Sequence, residues 1–149
     1  AQLCSFLPNK PSLILDVGTG AGLPGVIISI LTDHQIHLVE SDHRKCAFLR
    51  TVLSRVNSDA TIHEKRLENM ENIKADVITA RAFAPTPKLL KLTKKQHHSK
   101  LRFLLLKGRD VDSELINIDT SQKLQLTNKH ASITSKDGCV IELQFNDPI

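Results

Sequence analysis

Residues Leu13 to Gly25 constrain the fold of this chain more than any other stretch. Leu13–Val17 is a short apolar run interrupted only by Asp16. Gly18-Thr19-Gly20-Ala21-Gly22-Leu23-Pro24-Gly25 follows, and Val26–Leu31 is again largely apolar. That order predicts a buried strand, a glycine-rich turn and the start of a helix. Glycine has no Cβ and accepts positive φ, so such a turn lets backbone come close to a nucleotide-like ligand. A dinucleotide fingerprint spaces its glycines as G-x-G-x-x-G. Here Leu23 stands at the third glycine position, and the acidic Asp16 leads the turn. The pattern is therefore Asp-x-Gly-x-Gly-x-Gly, a different signature.

At 149 residues with 40% hydrophobic content, the chain is expected to form a single domain, residues 1–149, with a real core. Its apolar runs fall far short of the roughly 20 residues that span a bilayer, and no signal-peptide pattern opens it. The chain starts at Ala1 and Met70 is its only methionine, so a preceding segment is expected. Cys4, Cys46 and Cys139 are odd in number and widely spaced. That spacing points to reduced thiols in a cytoplasmic protein and away from a disulfide framework or a metal site. Charge is segregated. From Val77 through Arg109 there is no acidic residue, and nine cations fall there: Arg81, Lys88, Lys91, Lys94, Lys95, Lys100, Arg102, Lys107 and Arg109. With 20 basic and 16 acidic residues in all, the remainder carries 11 positives against 16 negatives. Such an imbalance is the footprint of a polyanionic partner.

The chain alternates strand and helix. Strands are predicted at Leu13–Val17, Ile36–Val39, Ala60–His63, Ala75–Ala80 and Leu101–Leu106, the last an uninterrupted run suited to a sheet centre. Helices are predicted from Pro24 to Leu31, from His43 to Val56, and, strongly basic, from Pro87 to His98. His97 and His98 are expected to face water on that basic helix. Beyond Arg109 the rhythm changes to a short helix, Val111–Ile118, and two strands, Leu124–Ile133 and Cys139–Phe145. Lys136-Asp137-Gly138 between those strands is a hairpin signal. The fold class that results is α/β and Rossmann-like: a seven-stranded, mostly parallel sheet with an antiparallel C-terminal strand.

In an open α/β sheet a ligand sits outside the carboxyl ends of the strands, at the switch in strand order. Candidate positions are Asp16 to Leu23, Glu40, His63 to Glu68 and Ala80 to Phe83. Glu40 lies 22 residues after Gly18, where a carboxylate can accept from ribose hydroxyls. Arg81, at the end of a strand, can pair with a ligand carboxylate or a phosphate. Lys107 and Arg109 close the neighbouring strand and suit phosphate contacts, which give affinity and register without base identity. Phe83 is the one well-placed aromatic residue, with core burial its expected fate.

Five blocks carry a resemblance to one family. Asp16-Val17-Gly18-Thr19-Gly20-Ala21-Gly22 is similar to the first motif of S-adenosylmethionine-dependent methyltransferases. Its Leu23-Pro24-Gly25 ending resembles the GidB (RsmG) family in particular. Arg44-Lys45-Cys46-Ala47-Phe48-Leu49-Arg50, Arg66-Leu67-Glu68, Thr79-Ala80-Arg81-Ala82-Phe83-Ala84 and Leu106-Lys107-Gly108-Arg109 resemble further blocks of that family, in order. The resemblance implies methylation of guanine N7 in 16S ribosomal RNA, with S-adenosylmethionine as methyl donor and 16S rRNA or the small subunit as partner. It implies cofactor contacts at Gly18, Leu23, Leu67, Glu68 and Arg81. The turn itself adds Asp16, Gly20, Gly22 and Glu40, and RNA contacts are expected at Arg81, Lys107 and Arg109. Against the family's N-terminal helical segment, a segment shortened to Ala1–Ser12, or missing, is expected here. A ring nitrogen with a free lone pair needs alignment more than acid–base help, so no catalytic residue is expected. The seven histidines form no metal-ligand spacing, so no metal is expected, and a monomer is expected. Two alternatives share these residues: a noncatalytic RNA- or ribosome-binding module with a retained cofactor pocket, and a methyltransferase of another substrate class.

Overall fold

In the computed structural model, residues 2–116, 118 and 123–145 are described. The first strand, β1 (Leu13–Val17), leads through the glycine turn into helix α1 (Gly25–Leu31) and then into β2 (Gln35–Glu40). Helix α2 (His43–Arg55), β3 (Thr61–Glu64), β4 (Val77–Arg81) and helix α3 (Thr86–Leu92) follow. The described chain closes with β5 (Arg102–Lys107), helix α4 (Val111–Ile116), β6 (Leu124–Ala131) and β7 (Cys139–Phe145). The seven strands form one sheet in the order β3-β2-β1-β4-β5-β7-β6. The first five run parallel; β7 is antiparallel to both β5 and β6. The strand order reverses between β1 and β4, which opens the crevice where such sheets hold ligands.

Alternation along each strand sends side chains to opposite faces, and both faces are covered. Ile14, Ile36, Leu38 and Leu104 pack with Leu49 and Leu53 of α2 on one side. Leu15, Val17, Ile78, Phe103 and Leu105 pack with Leu89 and Leu90 of α3 on the other. This two-sided burial is why the strands read as continuous apolar runs. No helix among the described residues is long and apolar enough to cross a membrane.

The basic helix is shorter than its sequence suggests. It ends at Leu92, and Lys94–Gln96 tightens into a 3-10 turn. Thr93 Oγ1 donates back to the carbonyls of Leu89 and Leu90, turning the chain inward. His97 consequently does not face water. Its ring sits edge-on to Phe103 at 5.6 Å and beside Phe145 at 5.1 Å. Burial, reinforced by Lys94 and His98, lowers its pKa to about 4. His98 also turns in, with Nε2 at 2.8 Å from the Ala75 carbonyl.

Candidate cofactor and RNA-base site

The glycine turn is held from beneath and from the side by two carboxylates. Asp16 is fully buried. Its Oδ1 accepts from Thr79 Oγ1 at 2.7 Å and its Oδ2 from the Gly25 amide at 3.0 Å, so one side chain ties β1 to β4 and to the start of α1. Burial pushes its pKa up to about 6 against those hydrogen bonds and the charge of Arg81. Enclosed in this way, Asp16 supports the turn and presents no surface to a ligand. Glu40, at the end of β2, accepts from the Gly20 amide at 3.0 Å and from the Ser41 and Asp42 amides at 2.8 and 2.9 Å. Gly18, Gly20 and Gly22 have φ of 62°, 59° and 92°, a region costly for residues that carry a Cβ. Asp42 then caps α2 through the Arg44 and Lys45 amides.

These elements enclose a cleft of about 260 Å³ lined by Gly18, Val39, Glu40, Ser41, Lys65–Glu68, Phe83, Ala84, Lys88 and Leu92. Gly18, Glu40, Leu67 and Glu68 are thus brought together as expected. Gly20 and Gly22 shape the turn behind it, and Leu23 stands at the other end of the turn, 37% exposed. A second cavity, about 780 Å³, opens beside it over the ends of β4 and β5. Arg81, Pro24, Gly108 and the Ser132–Ser135 turn form its walls, and among the described residues only Phe83 and Ala84 border both spaces. Arg81 is exposed there and its side chain forms no hydrogen bond or ion pair among the described residues. Among the described residues no cluster of three or more His, Cys, Asp or Glu could hold a metal ion.

The sequence model described as "rRNA small subunit methyltransferase G" (GidB) matches residues 1–140. The chain belongs to the GidB family. A relative named ribosomal RNA small subunit methyltransferase G from Rhodospirillum rubrum is 36% identical over 143 residues, 96% of this chain and 71% of the relative. The protein of the same name from Paramagnetospirillum magneticum is 37% identical over 144 residues, 96% of this chain and 69% of the relative. The Rossmann-like fold is shared with solved methyltransferases. A ribosomal protein L11 methylase from Lactobacillus delbrueckii superposes with a TM-score of 0.76 at 14% identity, over 97% of this chain and 75% of that one. Magnesium protoporphyrin IX methyltransferase from Synechocystis, solved with bound SAM, gives 0.76 at 11% identity, over 97% of this chain and 77% of that one. The chain is accordingly a member of an rRNA methyltransferase family with this Rossmann-like fold.

Two expected RNA contacts meet other partners in this GidB chain. Lys107 is nearly enclosed: its Nζ lies 2.7 Å from Glu114 Oε2 and 3.0 Å from the Ala84 carbonyl. Glu114 also accepts from the Thr86 amide and hydroxyl, capping α3 from 28 residues away. Burial opposes ionisation of Glu114, but its bonds to Lys107 and Thr86 prevail and hold its pKa below the usual value. Lys107 is therefore a strut between α3, α4 and β5, since its charge is already matched inside the protein. Arg109 is exposed and pairs with Asp137 at 2.6 Å. The cleft also recruits residues outside the sequence expectation: Val39, Ser41, Ala84, Lys88 and Leu92. Ser41 adjoins Glu40 and was within reach of a wider reading. Lys88 and Leu92 reach the cleft only because α3 packs across the end of β4, which no local pattern announces.

Proposed function

We propose that this chain transfers a methyl group from S-adenosylmethionine to N7 of a guanine in 16S ribosomal RNA, residues 1–149 acting as one methyltransferase domain. The observation that carries the reading is the adjacency of two cavities at the switch point. The narrower one is lined by Gly18 of the glycine turn, Glu40 and Leu67; the wider one holds an arginine with no side-chain partner among the described residues; one phenylalanine side chain stands between them. Gly18 brings backbone without a side chain to the wall of the narrow cleft, at a φ of 62°. Glu40 keeps spare acceptor capacity for ribose hydroxyls, and Leu67 supplies an apolar wall for adenine. When bound, S-adenosylmethionine supplies an already electrophilic methyl group.

What remains for the protein is alignment. Guanine N7 has a free lone pair, so a general base is not required, and positioning supplies the rate. A base buried in a helix or loop must be turned out of its stack to reach such a site. Arg81 suits the phosphate or the O6 edge of the extruded nucleotide. The exposed lysines of the acid-free segment, Lys88, Lys91, Lys94 and Lys100, suit the RNA backbone around it. The test is incubation with labelled S-adenosylmethionine and either naked 16S rRNA or small subunits, followed by nucleoside analysis. Label in 7-methylguanosine supports the reading. Label in another nucleoside, or none with a protein that binds the cofactor, sinks the N7 assignment.

A further inference from the structure

The two cavities share one movable-sized object, the ring of Phe83, and its position is at odds with a cofactor lying along the glycine turn. A Cβ placed on Gly18 would lie 2.0 Å from Phe83 Cδ2, so the ring rests directly on the glycine that the turn leaves bare. The cleft is also small, about 260 Å³, where small-molecule sites run to roughly 300–1,000 Å³. Ala82, just before the ring, has φ of 50°, a conformation uncommon for alanine. Phe83 is only half-buried, with the 780 Å³ cavity on its far side.

We propose that Phe83 is a movable wall between the two sites: cofactor entry over Gly18 displaces its ring into the wider cavity, where it becomes the stacking face for the target base. This rests on the assignment of the narrow cleft to the cofactor and the wide one to the base. Stacking on an aromatic side chain is the usual way an unstacked RNA base is held, and the chain has no Trp or Tyr to do it elsewhere. The device makes binding ordered. Cofactor prepares the base site, and the two ligands strengthen each other by the same factor.

The experiment has two parts on the full chain. Phe83→Trp introduces a single tryptophan, whose emission is followed while S-adenosylhomocysteine and then a 16S rRNA fragment are added. Separately, RNA affinity is measured with and without S-adenosylhomocysteine for wild type, Phe83→Leu and Phe83→Tyr. The expected result is an emission change on cofactor addition alone, and RNA binding tightened about fivefold or more in wild type. Phe83→Leu should lose that coupling while holding S-adenosylhomocysteine at least as well as wild type, and Phe83→Tyr, which keeps the ring, should restore it. Cofactor binding that leaves the emission unmoved, or coupling retained in Phe83→Leu, overturns the movable wall and leaves the cofactor assignment standing. Failure of wild type to bind S-adenosylhomocysteine at all overturns the assignment of the cleft.

Discussion

The two halves of the sheet use their carboxylates in opposite ways. Around β1 and β2, Asp16, Glu40 and Asp42 accept from backbone amides of the turns next to them. Around β5 and β7, Glu114, Glu142 and Asp137 meet side-chain cations: Lys107, Arg102 and Arg109. The first arrangement shapes backbone for a ligand, and a local motif contains its parts apart from Thr79, which reaches Asp16 from β4. The second neutralises a basic segment by pairing it with acids elsewhere. Three of the nine cations between Val77 and Arg109 are matched in this way, so charge segregated along the chain is partly mixed in space.

The largest effect should come from the first half. Gly18→Val places a β-branched side chain at positive φ against the Phe83 ring. Left-handed backbone alone costs about 1–2 kcal/mol. We expect a lowered melting temperature together with loss of S-adenosylhomocysteine binding by calorimetry; the clash falls on protein, so the fold does not escape as it would had the Cβ entered empty ligand space. In the second half, Arg102→Met takes from the buried Glu142 its arginine and leaves it the Asn128 amide, with His130 Nε2 at 3.7 Å, so the cost should fall below the about 3–5 kcal/mol of a buried charge left wholly unpaired. The double variant Arg102→Met/Glu142→Leu should recover most of that in urea titrations. Cofactor affinity in the double variant should stay near wild type; a large drop would mean that the two halves are not independent.

Asp16 predicts a pH signature. Its pKa, about 6 against the ordinary 3.8, means that the folded state prefers the protonated form. Its contribution is fully present below pH 3.8 and lost as pH rises to about 6, a change of about 3 kcal/mol at roughly 1.4 per unit. His97, lowered to about 4 from 6.5, acts in the opposite sense, with stability present above pH 6.5 and lost as pH falls towards 4. Asp16→Asn should therefore lose stability steeply on acidification between pH 6 and 4, and His97→Gln should gain it. Parallel unfolding curves for both variants would contradict these assignments. The smallest effect belongs to the exposed Arg109–Asp137 pair: Arg109→Ala should change unfolding free energy by no more than about 0.5 kcal/mol.

What the sequence alone determined is the first half almost complete. The strand at Leu13–Val17, the glycine turn, Glu40 and the capping Asp42 lie within 30 residues, and their partners are neighbours or the next strand. Apolar alternation and turn chemistry act over such distances, so a linear reading reaches them, as it did the hairpin at Lys136–Gly138. Only the tertiary structure decided the roles of Lys107, His97 and Phe83. Lys107 reads as an exposed phosphate ligand until Glu114 folds back onto α3. His97 reads as solvated until Thr93 ends the helix and turns it against Phe103. Phe83 reads as core until β1 and β4 become neighbours and set its ring on Gly18. Only the contact of Phe83 with Gly18 depends on strand order. Glu114 is seven residues from Lys107 and Phe103 six from His97, yet a side chain's charge or hydrophobicity does not say which partner will satisfy it once the chain has turned.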